Sequence, residues 1–218
     1  MKRRVLYLGT QLPTYLDPAI EWVHMPAITV TPRPLELLQE SLPFLKPTTH
    51  VILTSRYAAL FLQERVEQYF GDAELLKDKV ALVIGETTKK ALSQGSYREI
   101  YSASHAVQEG FFPLLQSLDR EKVFLFYPRS SRARARLASY LEEQRFPHHI
   151  CDLYDTASLP LSYPLETIDE VVFTSPSTVA SFFTQYSKFP QKLAFQAIGP
   201  ITQAALERAI EAKRSALS

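Results

Sequence analysis

One repeated pattern constrains the fold of this chain more than any other feature. The stretch HVILTSRYAALFL, residues 50–62, recurs in similar form as EVVFTSPSTVASFF, residues 170–183. In both copies an apolar run typical of a buried strand leads through Thr-Ser into a helical pattern. Each copy is followed by a second unit, VALVIGETTKKAL (80–92) or AFQAIGPITQAAL (194–206), and both second units fit G-x-x-T-x-x-A-L. Because two unit types recur in the same order, the sequence predicts two similar domains.

Short apolar runs alternate with amphipathic stretches along the whole chain. The runs are RVLYL, HVILT, KVALVI, KVFLFY, EVVFT and KLAFQAI. Continuous apolar runs of this length fit strands that are covered on both faces, as in parallel sheets. The sequence therefore predicts an α/β fold with two doubly wound parallel-sheet (flavodoxin-like) domains joined by a two-strand linker.

Two proline-marked stretches, ITVTPRP (28–34) and LYDTASLP (153–160), indicate where the domains divide. Their prolines favour extended backbone at the preceding residues, which suits a crossing between domains. The predicted parts are a discontinuous outer domain, residues 1–29 plus 161–218, an inserted domain, residues 35–152, and linkers at 30–34 and 153–160. Two domains on a double linker can hinge, so a ligand can lie between them.

Composition excludes several classes of function. Lys and Arg total 24 against 23 Asp and Glu, so no overall charge attracts nucleic acid or a membrane surface. The single cysteine, Cys151, excludes an internal disulfide and a thiolate zinc site, and it suits a reducing compartment. No stretch approaches the roughly 18 apolar residues of a spanning helix. We therefore expect a cytoplasmic protein that binds neither nucleic acid nor membranes.

Familiar cofactor motifs are missing from the sequence. There is no G-x-x-x-x-G-K, and no two of the six glycines lie close enough for G-x-G-x-x-G. Only His148 and His149 adjoin, and neighbours on a strand point to opposite faces, which argues against a zinc site. No G-x-S-x-G elbow supports a hydrolase nucleophile. The sequence thus predicts a site without cofactor or metal.

Four strand-to-helix corners carry small hydroxyl residues, Gly or Pro: TSRY, GETT, TSPS and GPIT. A helix N-terminus presents unpaired N–H groups and a partial positive charge, so it can bind carboxylate or phosphate. The alternative is ordinary N-capping by Ser55, Ser175, Thr88 and Thr202. The candidate binding residues at these corners are Thr54, Ser55, Arg56, Gly85, Thr88, Ser175, Pro176, Ser177, Gly199 and Thr202.

A fifth corner, FYPRSSRARARL (126–137), is rich in arginine. Cations are unfavourable at a helix N-terminus, so helix electrostatics does not explain them. On a helix, Arg129, Arg132 and Arg136 would share one face. They either form a solvated face paired with acids or receive an acidic ligand through forked hydrogen bonds. The candidate binding residues here are Arg129, Ser130 and Arg132.

The motifs TSRYAALFL, GETTKKAL, TSPSTVASFF, AIGPITQAAL and LYDT resemble those of the uroporphyrinogen-III synthase family, and the resemblance covers nearly the whole chain. The resemblance implies a cofactor-independent lyase (hydro-lyase) of tetrapyrrole and haem biosynthesis. Such an enzyme closes linear hydroxymethylbilane into a ring, with loss of water and inversion of the terminal pyrrole. It further implies a monomer whose partner is this small-molecule substrate, with transient contact to the upstream hydroxymethylbilane synthase.

The resemblance also singles out Tyr154 in LYDT as the candidate catalytic residue. It matches the tyrosine that the family places over the cleft, where a phenol can hydrogen-bond or protonate the departing hydroxyl. The alternative is a linker tyrosine that packs its ring between the lobes.

Two other functions fit the residues. One is a non-catalytic, two-lobed binding protein for an acidic metabolite, which turnover would distinguish from the synthase. The other is a nucleotide-dependent transferase of doubly wound fold, which lacks both phosphate-binding motifs.

Overall fold

The computed structural model describes residues 2–92 and 95–215. The strands are β1 Arg3–Tyr7, β2 Ile20–His24, β3 Ile28–Pro32, β4 His50–Leu53, β5 Val80–Val83, β6 Glu99–Ser102, β7 Leu125–Ser130, β8 His148–Ser158, β9 Glu170–Phe173 and β10 Ala194–Ala197. The α-helices are α1 Arg56–Phe70, α2 Glu86–Lys90, α3 Phe112–Gln116, α4 Arg136–Glu143, α5 Pro176–Gln185 and α6 Pro200–Ser215. Over these described ranges, no helix combines the length and apolar character needed to cross a membrane.

The strands form two sheets. The four-stranded sheet has the order β10-β9-β1-β2, and each of its neighbouring pairs is parallel. The six-stranded sheet has the order β3-β8-β7-β4-β5-β6, with parallel pairing from β8 through to β6. The predicted α/β class with parallel sheets is confirmed.

The two sheets differ in strand order. If the strands of the four-stranded sheet are renumbered 1 to 4 along the chain, their order is 2-1-3-4. This is the order of the first four strands of a flavodoxin-like sheet. If strands β4 to β8 of the six-stranded sheet are renumbered 1 to 5 in the same way, their order is 3-2-1-4-5. This is the other common doubly wound order. The repeated sequence units are therefore set into two different arrangements of strands.

Both sheets bury apolar side chains on two faces. In β4, Val51 and Leu53 belong to one buried cluster, whereas Ile52 belongs to another. In β1, Leu6 and Val5 divide in the same way. Because successive strand residues point to opposite faces, this division shows that each sheet is covered on both sides. Burial of each sheet on both faces explains why the strands appear in the sequence as continuous apolar runs.

The chain forms two compact units. Residues 30–155 form one, called the inner unit below, and residues 1–29 with 156–218 form the other, called the outer unit. The boundaries fall within β3 and β8. The stretches predicted as linkers thus lie largely in two strands that are neighbours in the six-stranded sheet. Proline indicated extended backbone there, but it carried no information about this pairing.

Candidate functional site

The candidate residues of the inner unit gather at one edge of the six-stranded sheet. Strands β4 and β5 run in parallel register, with Leu53 beside Val83, so the Thr-Ser corner after β4 lies near the turn after β5. On the other side of β4, strand β7 ends at Ser130, which pairs with Tyr154 of β8. The carboxyl ends of parallel strands are where open α/β sheets bind ligands.

Ser55 joins this corner to Tyr154. Its extended backbone (φ −160°, ψ 157°) makes it the N-cap of α1, and its Oγ accepts a hydrogen bond from the Ala58 N–H at 3.0 Å. The same Oγ lies 2.7 Å from the Tyr154 Oη, a distance typical of a hydrogen bond between hydroxyls. The capping role and the contact with the candidate catalytic residue therefore meet in one atom.

Tyr154 lies in a strand, with a side chain that is only 6% exposed. Its ring contacts the rings of Tyr57 and Phe61, with centroids 6.3 Å and 5.8 Å away. Burial raises the pKa of Tyr154, and the hydrogen bond with Ser55 opposes part of that rise. The phenol is thus neutral at physiological pH, and it can donate a proton or a hydrogen bond.

Thr54 and Ser55 follow β4, and the neighbouring strand β7 carries a second buried tyrosine. Tyr127 of β7 is fully buried. Burial raises the pKa of Tyr127, and the nearby Thr54 side chain opposes part of that rise. The Tyr127 Oη also accepts a hydrogen bond from the Gln108 Nε2 at 3.2 Å. Sequence analysis missed Tyr127 and Gln108, because neither carries a motif and they meet only in the folded chain.

Arg56 is the first residue of α1. Its guanidinium carbon lies 5.0 Å from the centre of the Tyr57 ring, and its Nη2 donates to the Tyr57 Oη at 3.1 Å. The cation is therefore held beside the Thr-Ser corner by the aromatic residue that also contacts Tyr154.

The predicted single helical face of arginines is wrong. Arg129 lies in β7, Arg132 lies in the following turn, and the helix begins only at Arg136. The strand continues through Ser130 because its backbone pairs with β8, where Arg129 stands opposite Asp152. These contacts between strands override the local helical pattern.

Arg129 and Arg132 have different surroundings. The Arg129 Nε donates to the Asp152 Oδ1 at 2.8 Å, so this arginine is paired with an acid in a partly buried position. The Arg132 side chain is exposed, and its backbone N–H donates to the Ser130 Oγ at 3.3 Å. Hydrogen bonds from Arg33 and Ser131 lower the pKa of Asp155, and the charge of Arg132 adds to that effect. Arg132 is thus the more accessible cation for an acidic ligand.

The G-x-x-T turns do not cap their helices through threonine, so that interpretation of Thr88 and Thr202 is wrong. Gly85 is the N-cap of α2, and its carbonyl accepts from the Lys89 N–H at 3.0 Å. Thr88 and Thr202 are each the third residue of a helix, and both are buried. In the second copy the Gly199 carbonyl accepts from the Gln203 N–H at 2.8 Å. Each helix therefore begins directly after its glycine, too early for the threonine to be its cap.

The outer unit has its own Thr-Ser corner, after β9. Ser175 caps α5 in a capping box, in which its Oγ accepts from the Thr178 N–H and the Thr178 Oγ1 accepts from the Ser175 N–H. Pro176 occupies the first helical position and Ser177 the second. Strand β10 lies beside β9 in parallel register, so Gly199 follows at the same sheet edge. The candidate residues of the outer unit are therefore grouped as well.

No three His, Cys, Asp or Glu side chains of the described ranges group in a way that could hold a metal ion. Cys151 is fully buried, and burial raises the pKa of its thiol to about 12. A thiol of this kind is protonated at neutral pH and is a poor nucleophile.

Comparison with known proteins identifies the fold. The chain is similar to uroporphyrinogen-III synthetase from Helicobacter pylori, with 19% identity and a TM-score of 0.62 over 94% of this chain and 88% of that one. It is also similar to a mutant uroporphyrinogen III synthase from the extremely thermophilic bacterium Thermus thermophilus, with 16% identity and a TM-score of 0.68 over 95% and 89% of the two chains. No curated protein matches the sequence.

The family assignment comes from a sequence model. The model described as uroporphyrinogen-III synthase HemD matches residues 19–214, which is most of the chain and spans both units. The resemblance seen in the Thr-Ser, G-x-x-T and LYDT motifs is confirmed. The chain therefore belongs to the uroporphyrinogen-III synthase family, whose enzymes act in haem biosynthesis.

Proposed function

We propose that this chain is a cofactor-independent lyase that closes hydroxymethylbilane into the ring-inverted isomer, with loss of water. The observation that supports this mechanism is the 2.7 Å contact between Tyr154 and Ser55, because it holds a neutral phenol near the carboxyl ends of parallel strands, where open α/β sheets generally bind ligands. We expect the chain to act as a cytoplasmic monomer that receives the labile bilane from the upstream hydroxymethylbilane synthase.

The inner unit suits a substrate that carries many carboxylates. The N-terminus of α1 offers backbone N–H groups, Arg56 stands at that N-terminus, and Arg132 is exposed on the turn after β7. Arg129 is already paired with Asp152, so it contributes to binding only if a substrate carboxylate shares or replaces that partner. In the outer unit, the capping box uses the N–H groups of Ser175 and Thr178 and Pro176 has none, so the Ser177 N–H is the donor that the first turn of α5 offers, beside the turn at Gly199.

Tyr154 would act on the leaving hydroxyl. As the C–O bond breaks, the phenol donates its proton or a strong hydrogen bond to the oxygen, which leaves as water. The substituted α-carbon of the terminal pyrrole then attacks the carbon electrophile and forms a spiro intermediate. The bond from that carbon to its original methylene bridge breaks, and the bridge bonds to the unsubstituted α-carbon of the same pyrrole. The proton that this carbon loses restores the phenol. Ser55 can return a hydrogen bond to the phenol oxygen and hold it in place. The remaining task is orientation, because the bilane also closes unaided to the uninverted isomer.

The decisive test of this function supplies freshly generated hydroxymethylbilane and separates the product isomers after oxidation. We expect the inverted isomer to form faster than the uninverted one. A non-catalytic binding protein for acidic metabolites would instead leave only the uninverted isomer, which would accumulate at the rate seen without protein. That result would overturn the synthase function.

The role of Tyr154 is tested by Tyr154→Phe. We expect the rate of inverted product to fall by about 100-fold, which is within the usual contribution of a general acid. We expect the melting temperature to change only slightly, since one hydrogen bond is worth about 1 kcal/mol. Tyr69→Phe is the matched control, because Tyr69 lies near the opposite end of α1 and is exposed. An unchanged rate in Tyr154→Phe would remove this residue from catalysis.

A further inference from the structure

We propose that Asp155 is a positioning residue, which holds the turn after β7 against the strand that carries Tyr154. Asp155 follows Tyr154 directly in β8, and it is not among the candidates for substrate contact. It acts through the residues that its carboxylate holds. This inference rests on the proposed function, because it assigns Tyr154 and the turn with Arg132 to the same reaction.

Asp155 lies between the ends of two other strands. In the six-stranded sheet β8 has β3 on one side and β7 on the other, and Arg33 and Ser131 are the first residues beyond those two strands. Both residues still donate a backbone hydrogen bond to β8. The Arg33 N–H donates to the Leu153 carbonyl at 2.9 Å, and the Ser131 N–H donates to the Tyr154 carbonyl at 3.0 Å. The backbone of β8 thus holds the chain on both sides just before Asp155.

The Asp155 carboxylate accepts three further hydrogen bonds from the side chains of the same two residues. Arg33 donates a fork, from Nε to Oδ2 and from Nη2 to Oδ1, each at 3.0 Å. The Ser131 Oγ donates to Oδ1 at 2.6 Å. Bonds to a charged group are stronger than neutral ones, and a forked pair also fixes the relative orientation of its partners. Arg33 and Ser131 are therefore each held twice, once by the β8 backbone and once by Asp155.

These bonds fix the backbone around Tyr154. Its carbonyl accepts from the Ser131 N–H, while the next side chain, Asp155, accepts from the Ser131 hydroxyl. The pairing of β7 with β8 shifts by one residue between Arg129 and Ser130, directly before these contacts. A shift of this kind disrupts the regular ladder, so the side-chain bonds of Asp155 supply fixed points where the ladder is irregular. The direction in which the phenol leaves the strand depends on them.

Arg33 also connects the carboxylate to α1. The Arg33 carbonyl accepts from the Nε of Arg65, a buried residue of α1, at 2.9 Å. The cap of the same helix, Ser55, contacts the phenol of Tyr154. Helix α1 therefore touches the arrangement at two places, at the phenol and at the arginine that binds Asp155. Displacement of Asp155 would change the position of the strand relative to the helix that holds the phenol.

The chemistry of Asp155 fits positioning better than it fits substrate binding or stability. A carboxylate beside the site opposes the binding of an acidic substrate, and the fork from Arg33 offsets that charge. About half of the Asp155 side chain is exposed, and exposed ion pairs contribute little to stability. What the carboxylate supplies is direction, since hydrogen bonds fix angles as well as distances.

Asp155→Ala tests this inference, and Glu21→Ala is its matched control. Glu21 accepts from the Arg4 Nε at 2.9 Å, and the two residues pair between neighbouring parallel strands. The side chains of Arg4 and Glu21 are 28% and 52% exposed, against 28% and 50% for Arg33 and Asp155. Arg4 and Glu21 are each the second residue of a strand, so their pair lies towards the amino ends, away from the ligand-binding edge.

We expect Asp155→Ala to lower kcat for the inverted isomer by about 10-fold, because a small displacement of a catalytic group costs much of the rate. We expect Glu21→Ala to keep the kcat of the wild type. A role through charge alone predicts a different result for Asp155→Ala, because removal of a negative charge beside an acidic substrate would lower KM and leave kcat unchanged. Asp155→Asn keeps an oxygen that can accept from Ser131, so its kcat should lie between those of Asp155→Ala and the wild type.

A double-mutant cycle with Ser131→Ala checks that Asp155 acts through the turn. Ser131→Ala removes one exposed-side hydrogen bond, so it should fold and lower kcat by about 3-fold. In the double variant the second substitution removes little that the first has not already removed, so kcat should equal that of Asp155→Ala. Additive losses in kcat would overturn the inference. So would a wild-type kcat in Asp155→Ala, or an equal loss in Glu21→Ala.

One measurement separates failure of this inference from failure of the synthase function. The Ser131 N–H donates to the Tyr154 carbonyl, so its hydrogen exchange reports whether the turn is held, without any turnover. Residues 130 and 131 are unchanged in Asp155→Ala and Glu21→Ala, so their intrinsic exchange is the same. We expect this exchange to be several-fold faster in Asp155→Ala than in Glu21→Ala. If the wild type formed no inverted isomer, the synthase function would fail and the exchange would still decide whether Asp155 holds the turn, with equal rates overturning it.

Discussion

Ser55 and Ser175 occupy the same place in the repeated motif, but they make different bonds. Both begin a helix from extended backbone, with φ near −160°. Ser175 exchanges hydrogen bonds with Thr178 in a closed capping box, whereas position 58 beside Ser55 is an alanine. In both corners the serine Oγ accepts a hydrogen bond from the N–H three residues on, and the Ser55 Oγ also lies 2.7 Å from the Tyr154 Oη. The additional contact of Ser55 therefore comes from Tyr154 of β8, which lies outside the repeated motif.

His149 of β8, which is not among the candidate site residues, sets a testable pH dependence of stability. His149 stacks on Phe44 with centroids 4.0 Å apart, and its Nε2 lies 3.0 Å from the Ser41 Oγ. Burial, aided by the charge of His148, lowers the pKa of His149 below its ordinary value of 6.5. The folded protein therefore binds fewer protons than the unfolded chain over this range, so stability is full above pH 6.5 and is lost as pH falls through the lower, folded pKa.

We expect the free energy of unfolding, measured with urea at pH values from about 8 to 5, to decrease towards acid. His149→Phe keeps an aromatic ring against Phe44 and cannot titrate, so its acid-side decrease should be smaller. Burial also lowers the pKa of His50, which leaves part of the decrease in place. Parallel pH profiles of the two proteins would show that His149 does not contribute.

Helix α1 shows how an element can be placed by its sequence. It begins after the cap at Ser55 and ends at Gly71, whose φ of 66° lies in the left-handed region that favours glycine. Its buried residues include Ala58, Leu62 and Val66, which recur every four positions and form a stripe towards the sheet. The local sequence of α1 therefore predicts where the helix begins, where it ends and which of its faces is buried.

The stripe predicts unequal costs for two leucines of α1. Leu62 is fully buried, while Leu60 is 47% exposed. We expect Leu62→Ala to lower the free energy of unfolding by about 2 to 5 kcal/mol, because it leaves a cavity in the core. Leu60→Ala, the matched control on the same helix, should cost roughly 0.5 kcal/mol or less. Urea unfolding of both variants provides the measurement, and similar losses would contradict this assignment of the buried face.

The arginine-rich corner shows the limit of local patterns at the scale of elements. The spacing of Arg129, Arg132 and Arg136 is helical, yet β7 extends through Ser130 and the helix begins six residues later. The cause lies in β8, distant in sequence, which pairs residue by residue with β7 up to Ser130. Asp152, the partner of Arg129, lies in that same strand. The local sequence pattern therefore could predict neither the pairing of β7 with β8 nor this ion pair.

At the scale of the whole molecule, each unit has a core of its own. Two buried clusters, one on each face of the six-stranded sheet, consist of residues from the inner unit. The two clusters around the four-stranded sheet consist of residues from the outer unit. A domain with its own core and a complete sheet is able to fold alone.

We therefore expect a fragment of residues 28–158, from β3 through β8, to fold by itself. Thermal unfolding followed by circular dichroism should show one cooperative transition. A shorter fragment of residues 35–152, which follows the boundaries predicted from sequence, is the comparison. It lacks β3 and the end of β8 with Tyr154, so it should melt at a lower temperature. Equal melting temperatures would contradict a structural role for these strand segments.

The sequence by itself determined the α/β class, the repeated corners, the family and the approximate strand positions. These features depend on local periodicity, on turn residues and on motifs, which residues close in sequence encode. Only the tertiary structure decided the strand orders, the partner of Arg129 and the surroundings of Tyr154. It brought the Gln108 Nε2 to 3.2 Å from the Tyr127 Oη, although 19 residues separate the two. Contacts of this kind arise from packing and strand pairing over long sequence separations, which no local pattern records.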